Sequence, residues 1–236
     1  MTLRTAKRFY DKVAIGREDG AFTVLLAGRP VRTPQGVVLR LPTAALAAAI
    51  ANEWGGQGDI LRPETMPLTR LAATATDRVA VLRQMVVDAV LDYAGTDLLC
   101  YRADAPRDLV AREDRAWQPL LDWAAERWGA RMVVSAGVLP VRQPAHAMQA
   151  LRRAVEQASD LELAALSCVV QASGSIVVGL AVLDGRIDAD TAFATALLDE
   201  QYQAERWGID AEAERRRREI ATEIRAAASL LAPARV

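Results

Sequence analysis

A long uncharged run in the second half of the chain is the feature that most constrains its fold. From Leu163 to Leu183 there is no Asp, Glu, Lys or Arg. A helix of this length could span a bilayer, but Ser173-Gly174-Ser175 interrupts the run, and no aromatic belt or lysines flank it. We therefore expect two consecutive buried helices and no stable membrane insertion. A chain of 236 residues that is 52% hydrophobic can bury such helices in its own core.

The first forty residues have a different pattern. Short segments rich in β-branched and aromatic residues alternate with turn residues, which predicts an antiparallel meander with strands at Phe9–Ile15, Ala21–Leu26 and Val37–Leu41. Thr43 then stands where a helix N-cap belongs, and the alanine-rich segment that follows predicts a helix over Ala44–Trp54.

Helical periodicity dominates from Leu68 onward. It predicts helices at about 68–78, 80–94, 107–128, 145–158, 161–173, 175–183, 190–207 and 211–231. The expected fold class is therefore α+β. We expect a small N-terminal domain with the β-meander at residues 1–75 and a larger all-helical C-terminal domain at residues 76–236.

Charge and motif content exclude several classes of function. The 29 basic and 30 acidic residues nearly cancel, whereas a nucleic-acid-binding protein needs a basic excess. The sequence contains no P-loop and no dinucleotide-binding glycine motif. His146 is the only histidine, and with two distant cysteines, Cys100 and Cys168, it cannot form a typical zinc site. We expect no catalytic residues, no metal and no cofactor, so the chain is predicted not to be an enzyme.

The beginning of the chain and its cysteines bear on location. Met1–Tyr10 contains no apolar stretch of the signal-peptide type. Both cysteines lie among apolar or aromatic residues, which favours reduced thiols in a core. The Ala- and Arg-rich composition is typical of a bacterial protein, and we expect a cytoplasmic one.

Glu200 occupies an unusual position on the helix predicted at 190–207. At 100° per residue it shares a face with apolar residues on both sides, namely Phe193, Leu197, Ala204 and Trp207. An unpaired carboxylate in an apolar stripe is costly. Glu200 therefore either pairs with an arginine of the chain, for example one in the last helix, or belongs to a surface that meets a partner.

Two further features leave alternatives open. Trp54, at the end of the first predicted helix, is either a packing anchor or a binding hot spot. Arg215–Arg218 resembles a nucleic-acid patch, but glutamates surround it, and Glu212 and Glu214 precede Arg216 and Arg218 by four residues. Pairs at this spacing predict a solvated, salt-bridged face.

Three stretches of the chain form a pattern that is specific in order and spacing. The first runs from Glu53-Trp54 through Gln57 to Met66-Pro67-Leu68-Thr69. The second is Asp97–Arg102 with Trp117-Gln118-Pro119 and Trp123-Ala124, and the third is Leu198–Gln203 with Arg206-Trp207-Gly208. Together, in this order from about residue 8 to residue 231, they resemble the chaperones that assemble the ATP synthase F(1) head by acting on its alpha subunit.

The resemblance implies a function and a set of residues. It implies a chaperone that binds unassembled alpha subunit, prevents its aggregation and leaves when the beta subunit arrives; eukaryotic relatives act in mitochondria. Glu200 matches an acidic position of the family's C-terminal motif, and we expect it at the edge of a groove between the two domains. The residues expected to bind the partner are Glu53, Trp54, Tyr101, Arg102, Glu200, Tyr202 and Trp207.

Two other classes of protein remain as alternatives. The first is a small-molecule-binding protein or enzyme with an interdomain pocket near Trp54, Tyr101 and Glu200. The second is a permanent structural subunit of the complex. Co-purification separates them, because a chaperone brings down alpha subunit alone, a structural subunit brings down the whole enzyme, and an enzyme brings down neither.

Overall fold

The computed structural model describes residues 6–137, 141–208 and 210–232. It confirms the α+β class, with a small antiparallel sheet near the N-terminus and helices through most of the rest. The chain forms two compact units: one holds the residues up to Arg83, Asp160–Ala165 and the end of the chain from Ala226, and the other holds Gln84–Ser159 and Leu166–Arg225. The division into residues 1–75 and 76–236 stays a prediction.

A three-stranded antiparallel sheet opens the first unit. Its strands are β2 (Val13–Glu18), β3 (Ala21–Leu26) and β4 (Arg29–Pro30), while β1 (Ala6–Lys7) pairs separately with β5 (Ile60–Leu61). The β2–β3 turn has φ of 49° at Asp19 and 81° at Gly20. Positive φ at both central residues fits the sharp turn that matches the twist of the two strands.

The predicted strands are confirmed only in part. Ala21–Leu26 has the predicted bounds, but the strand expected at Phe9–Ile15 begins at Val13, because Tyr10 turns inward and donates its hydroxyl to the Trp54 carbonyl at 2.8 Å. The segment expected at Val37–Leu41 contributes only single bridges, from Val38 to Arg32 and from Leu41 to Phe22.

Helix α1 (Ala44–Gly55) covers this sheet. The Thr43 side chain accepts a hydrogen bond from the Leu46 amide at 3.1 Å, which confirms the predicted N-cap. The helix buries Leu46 and Ile50 against β2 and β3. Each such side chain contributes about 1.5–3 kcal/mol when it is removed from water. Helix α2 (Pro67–Thr74) follows and continues as a π turn to Val79.

The second unit is built around helix α7 (Ile176–Leu183), whose residues up to Val182 are buried. Helix α4 (Arg107–Trp128) packs on α7 and buries Trp117, whose indole donates to the Thr195 carbonyl at 3.0 Å. Gly179 lets α6 (Asp160–Ser173) approach closely, since a Cβ at this position would lie 2.5 Å from Val170 Cγ2. The remaining α-helices of the described ranges are α3 (Arg83–Asp92), α5 (Ala145–Glu156), α8 (Ala189–Ala196), α9 (Leu198–Trp207) and α10 (Ala211–Leu231). The start of α6 and the end of α10 belong to the first unit.

The uncharged run from Leu163 to Leu183 forms most of α6 and all of α7. The two helices are separated at Ser173-Gly174-Ser175, as the sequence predicts. Gly174 has φ of 70°, and the Ser175 hydroxyl accepts from the Val178 amide at 3.1 Å to begin α7. Asp97 is buried beside this helix start and accepts from the Ser175 hydroxyl and the Val177 amide. Burial raises the pKa of Asp97 to about 6. Across the described part of the chain, no helix is long and apolar enough to cross a membrane.

Candidate functional site

The helix predicted at 190–207 is interrupted at Leu197. The structure has two helices, α8 and α9, and Leu197 lies between them with φ of −109° and ψ of 26°. The break allows both Leu197 and Tyr202 to be buried. Phe193 and Glu200 therefore do not share one helix, and the apolar stripe predicted from a single continuous helix was wrong in its first half.

The second half of that stripe lies on one face of α9. Glu200, Ala204 and Trp207 follow each other at spacings of four and three residues. Glu200 is exposed, and Trp207 is 75% exposed, the highest value among the large apolar side chains that the structure describes. Within the described ranges the Glu200 carboxylate has no ion pair or hydrogen bond. Its place in the first turn of α9 is favourable for an anion.

A cleft of ≈ 590 Å³ lies between α9 and the first half of α10. Leu197, Ala204 and Ile220 supply its apolar lining. Side chains of both charges line the rest, with Glu200, Asp210, Glu212 and Glu219 among the acidic residues and Arg215, Arg216 and Arg217 among the basic ones. The cleft thus offers an apolar surface beside fixed charges of both signs, which suits a polypeptide segment more than a single small anion or cation.

Helix α9 is hydrogen-bonded to α4 through Tyr202. The Tyr202 hydroxyl donates to Asp108 Oδ1 at 2.9 Å, and Arg206 donates to Asp108 Oδ2 at 2.8 Å. The hydrogen bond from Arg206 lowers the pKa of Asp108. The Arg206 guanidinium lies 3.9 Å from the centre of the Tyr202 ring. Tyr202 is 2% exposed and therefore positions α9 from within.

A pair of carboxyl groups joins the same two helices. Glu113 on α4 is buried, accepts from the Ala103 amide at 3.0 Å and contacts the side chain of Asp199 on α9. Burial raises the pKa of Glu113 to about 7, and it raises the pKa of Asp199 as well. Two carboxyl groups in contact share a proton more readily than they ionise together. Asp199 precedes Glu200, so this pair fixes the start of the exposed face.

Two other predicted site residues of the second unit, Tyr101 and Arg102, form contacts within the chain. Arg102 is 7% exposed and pairs with Asp114, and it donates to Gln118 Oε1 at 3.1 Å. The Tyr101 hydroxyl donates to the Gly95 carbonyl at 3.3 Å. These contacts hold β6 (Tyr101–Arg102) in place, and β6 pairs in parallel with β7 (Ser135–Ala136).

Glu53 and Trp54 belong to the first unit and lie at the end of α1. The Glu53 carboxylate accepts from the amides of Leu68 and Thr69 at 2.7 and 2.8 Å, so it caps the start of α2. Burial nevertheless raises the pKa of Glu53. Trp54 is 7% exposed and packs edge-on against Tyr10, with 5.8 Å between the ring centres. Its indole N–H has no hydrogen-bond partner among the described residues.

Sequence reasoning missed Arg217, Glu113 and Asp199 as members of this region. The charge pattern predicts Arg217 on a solvated, salt-bridged face, but it is half-buried beside α9. The sequence does contain a signal that Arg217 differs from its neighbours. Arg216 and Arg218 each have a glutamate four residues before them, whereas Arg217 has Ala213 before it and Ala221 after it at this spacing. His146 is exposed at the start of α5, and within the described ranges no cluster of His, Cys, Asp or Glu could hold a metal.

Comparison with known proteins identifies relatives over nearly the whole chain. The family model described as ATP12 chaperone protein matches residues 7–125. The crystal structure of Atp12 from Paracoccus denitrificans is 44% identical, with a TM-score of 0.93 over 98% of this chain and 99% of that one. A protein of Agrobacterium tumefaciens, described as a candidate chaperone, is 39% identical with a TM-score of 0.92 over 97% of this chain and 86% of that one.

A more distant eukaryotic protein is also similar. Protein atp12 of Schizosaccharomyces pombe, named as mitochondrial, is 24% identical over 214 residues. The similar region covers 86% of this chain and 74% of the yeast protein. The likeness therefore extends well beyond the N-terminal half that the family model matches.

Proposed function

Since the chain belongs to the ATP12 chaperone family, we propose that it binds the unassembled alpha subunit of the ATP synthase F(1) head. In this proposal it prevents aggregation of the alpha subunit and hands it on to the beta subunit. Similarity to the Paracoccus protein over 98% of the chain supports action in a bacterial cytoplasm.

The physical need for such a chaperone comes from the alpha subunit itself. A subunit that will be buried against neighbours exposes apolar surface before assembly, and large exposed apolar patches promote aggregation. A specific protein partner covers roughly 1,200–2,000 Å² in total. Binding must remain weak enough for the beta subunit to displace the chaperone. A surface that joins a few apolar contacts to exposed charges meets both requirements.

The exposed face of α9 is the surface that we propose binds the alpha subunit. Glu200 and Trp207 lie on it, both exposed, and the cleft beside them has an apolar lining. Tryptophan is the residue type most enriched at binding hot spots, and the Glu200 carboxylate is not engaged by any described residue. We infer that Trp207 supplies apolar contact and that Glu200 meets a basic or amide group of the alpha subunit.

Substitution of Glu200 tests this surface directly. Glu200→Lys should weaken capture of purified alpha subunit by about 2 kcal/mol or more, because a like charge then faces the basic group. Glu200→Gln should weaken it less. Both variants should melt close to the wild-type temperature, since exposed positions change stability by about 0.5 kcal/mol or less.

Glu126→Lys is the matched control. Glu126 is exposed on α4 outside the cleft, so this substitution makes the same change in charge at another surface position. Capture by the control should equal that of wild type. A well-folded Glu200→Lys variant that captures alpha subunit normally would remove α9 from the proposed binding surface.

A further inference from the structure

Arg217 stands apart from its arginine neighbours on α10. Arg215 lies 3.8 Å from Glu219 and Arg218 lies 3.5 Å from Glu214, and both of these arginines are exposed. Arg217 is half-buried instead and lies on the side of α10 that meets α9. The Arg217 side chain is therefore partly shielded from solvent and oriented by contacts with α9, unlike the exposed Arg215 and Arg218.

A chain of hydrogen bonds holds one end of the Arg217 guanidinium. Nη2 donates to Gln201 Oε1 at 2.5 Å, and the Gln201 amide donates to Glu205 Oε1 at 3.4 Å. Glu205 in turn pairs with Arg112 of α4 at 2.7 Å. The guanidinium also lies 5.8 Å from the centre of the Phe193 ring. Contacts with α8 and α9, and through Glu205 with α4, thus hold the Arg217 side chain beside the cleft before any partner arrives.

The other end of the guanidinium is left without a partner. Nη1 is shielded from solvent, and no group in the described part of the chain accepts a hydrogen bond from it. A shielded donor on a charged group is costly when it is unpaired. Arg217 also lines the α9–α10 cleft that contains Glu200. An acceptor placed in this cleft would relieve that cost after a small rotation of the side chain.

We propose that Arg217 is the second charged anchor of the partner site and binds a carboxylate, an Asp or Glu side chain, of an alpha-subunit segment that occupies the α9–α10 cleft. Carboxylates are the groups that match the paired N–H donors of a guanidinium. The same segment places a basic or amide group opposite Glu200 and an apolar side chain on Leu197 and Ile220. The inference rests on the proposed function and specifies the chemistry of the segment that is bound.

Glu200 and Arg217, two of the charged residues that line the cleft, make the recognition directional in this proposal. A segment that presents a basic and an acidic group in the right order pairs with both anchors, whereas the reversed order places like charges together. Like-charge contacts in an interface cost enough to reject such partners. The prebuilt Gln201–Glu205–Arg112 chain reduces the ordering cost of binding.

The first test compares Arg217→Gln with Arg218→Gln. Both remove one positive charge from α10, but Arg218 is exposed and does not line the cleft. Capture of purified alpha subunit, measured per folded molecule, should fall at least tenfold for Arg217→Gln and stay within about twofold for the control. Equal losses in the two variants, or normal capture by Arg217→Gln with only a lower melting temperature, would overturn the inference and leave Arg217 as an internal structural residue.

The second test uses the wild-type chain and alters the partner. Surface Asp and Glu residues of the alpha subunit are replaced one at a time by Asn and Gln. At least one replacement should lower capture by the wild-type chain about tenfold. The same replacement should not lower capture by Arg217→Gln below the level that this variant shows with unaltered alpha subunit. If Arg217→Gln does not fold, the measurements with the wild-type chain decide. Capture that none of the Asp or Glu replacements weakens would contradict the inference.

The outcomes separate the inference from the proposed function. If the wild-type chain captures no alpha subunit, the proposed function fails. If the wild type captures it and Glu200→Lys does not, while Arg217→Gln and every carboxylate replacement behave normally, only the assignment of Arg217 fails.

Discussion

Two tryptophans of this chain have opposite environments. Trp54 is 7% exposed and packs on Tyr10, whereas Trp207 is 75% exposed at the end of α9. The sequence indicates both as partner contacts, since both lie at predicted helix ends within the stretches that resemble the family. The structure favours a packing role for Trp54, while its part in partner binding stays a prediction.

Alanine substitution should separate these two roles. Trp54→Ala should lower the free energy of unfolding by about 3–5 kcal/mol, the usual range for a buried tryptophan. Trp207→Ala should change it by about 0.5 kcal/mol or less, yet weaken capture of alpha subunit by about 2 kcal/mol. Thermal melts beside a capture assay measure both quantities. A stable Trp54→Ala variant with weakened capture would instead make Trp54 a hot spot.

At the scale of elements, the attachment of α9 to α4 determines how the proposed surface is presented. Tyr202 and Arg206 fasten α9 to Asp108, and the Glu113–Asp199 carboxyl pair joins the same helices near Glu200. Arg102 is the cation near Glu113. This attachment contains a group whose pKa is raised to about 7, so stability should depend on pH near neutrality.

The sign of that dependence follows from proton binding. The folded state holds a proton on Glu113 up to about pH 7, whereas an unfolded glutamate releases it near pH 4.5. The folded state therefore binds more protons between these values, and stability from this group falls as pH rises from about 4.5 to about 7. Asp97, with a pKa of about 6, adds to the same trend at lower pH.

Glu113→Gln should flatten this slope. At pH 8 the variant should be more stable than wild type by at least about 1.4 kcal/mol, the equivalent of one pKa unit. Denaturant unfolding at pH 5 and pH 8 measures the change, with Glu126→Gln as the exposed control. A variant whose stability keeps the wild-type pH dependence would show that the carboxyl pair does not titrate in this range.

The elements also show how far sequence reasoning reaches. Helices α4 and α10 have the predicted bounds, because periodic apolar residues and end signals such as Gly129 in the left-handed conformation agree there. The break at Leu197 carries no proline or glycine and depends on burial of residues from both α8 and α9. The place of Arg217 likewise depends on a contact with α9 sixteen residues earlier, which helix periodicity alone does not contain.

At the scale of the whole molecule, the net charge limits how the proposed partner can be attracted. Its net charge of −1 provides no strong long-range attraction. Under the proposed function, specificity for the alpha subunit comes from short-range contacts, namely the apolar lining of the cleft and the charges of Glu200 and Arg217. Permanent interfaces are larger and more hydrophobic than such a surface, which therefore suits reversible binding.

Co-purification from cells that lack the beta subunit tests the central claim most directly. Tagged chain from these cells should bring down alpha subunit alone, and restoring the beta subunit should release it, because the two compete for alpha. Glu200→Lys should bring down much less under the same conditions, whereas Glu126→Lys should match wild type. Recovery of the complete ATP synthase, or recovery of no alpha subunit at all, would contradict the account.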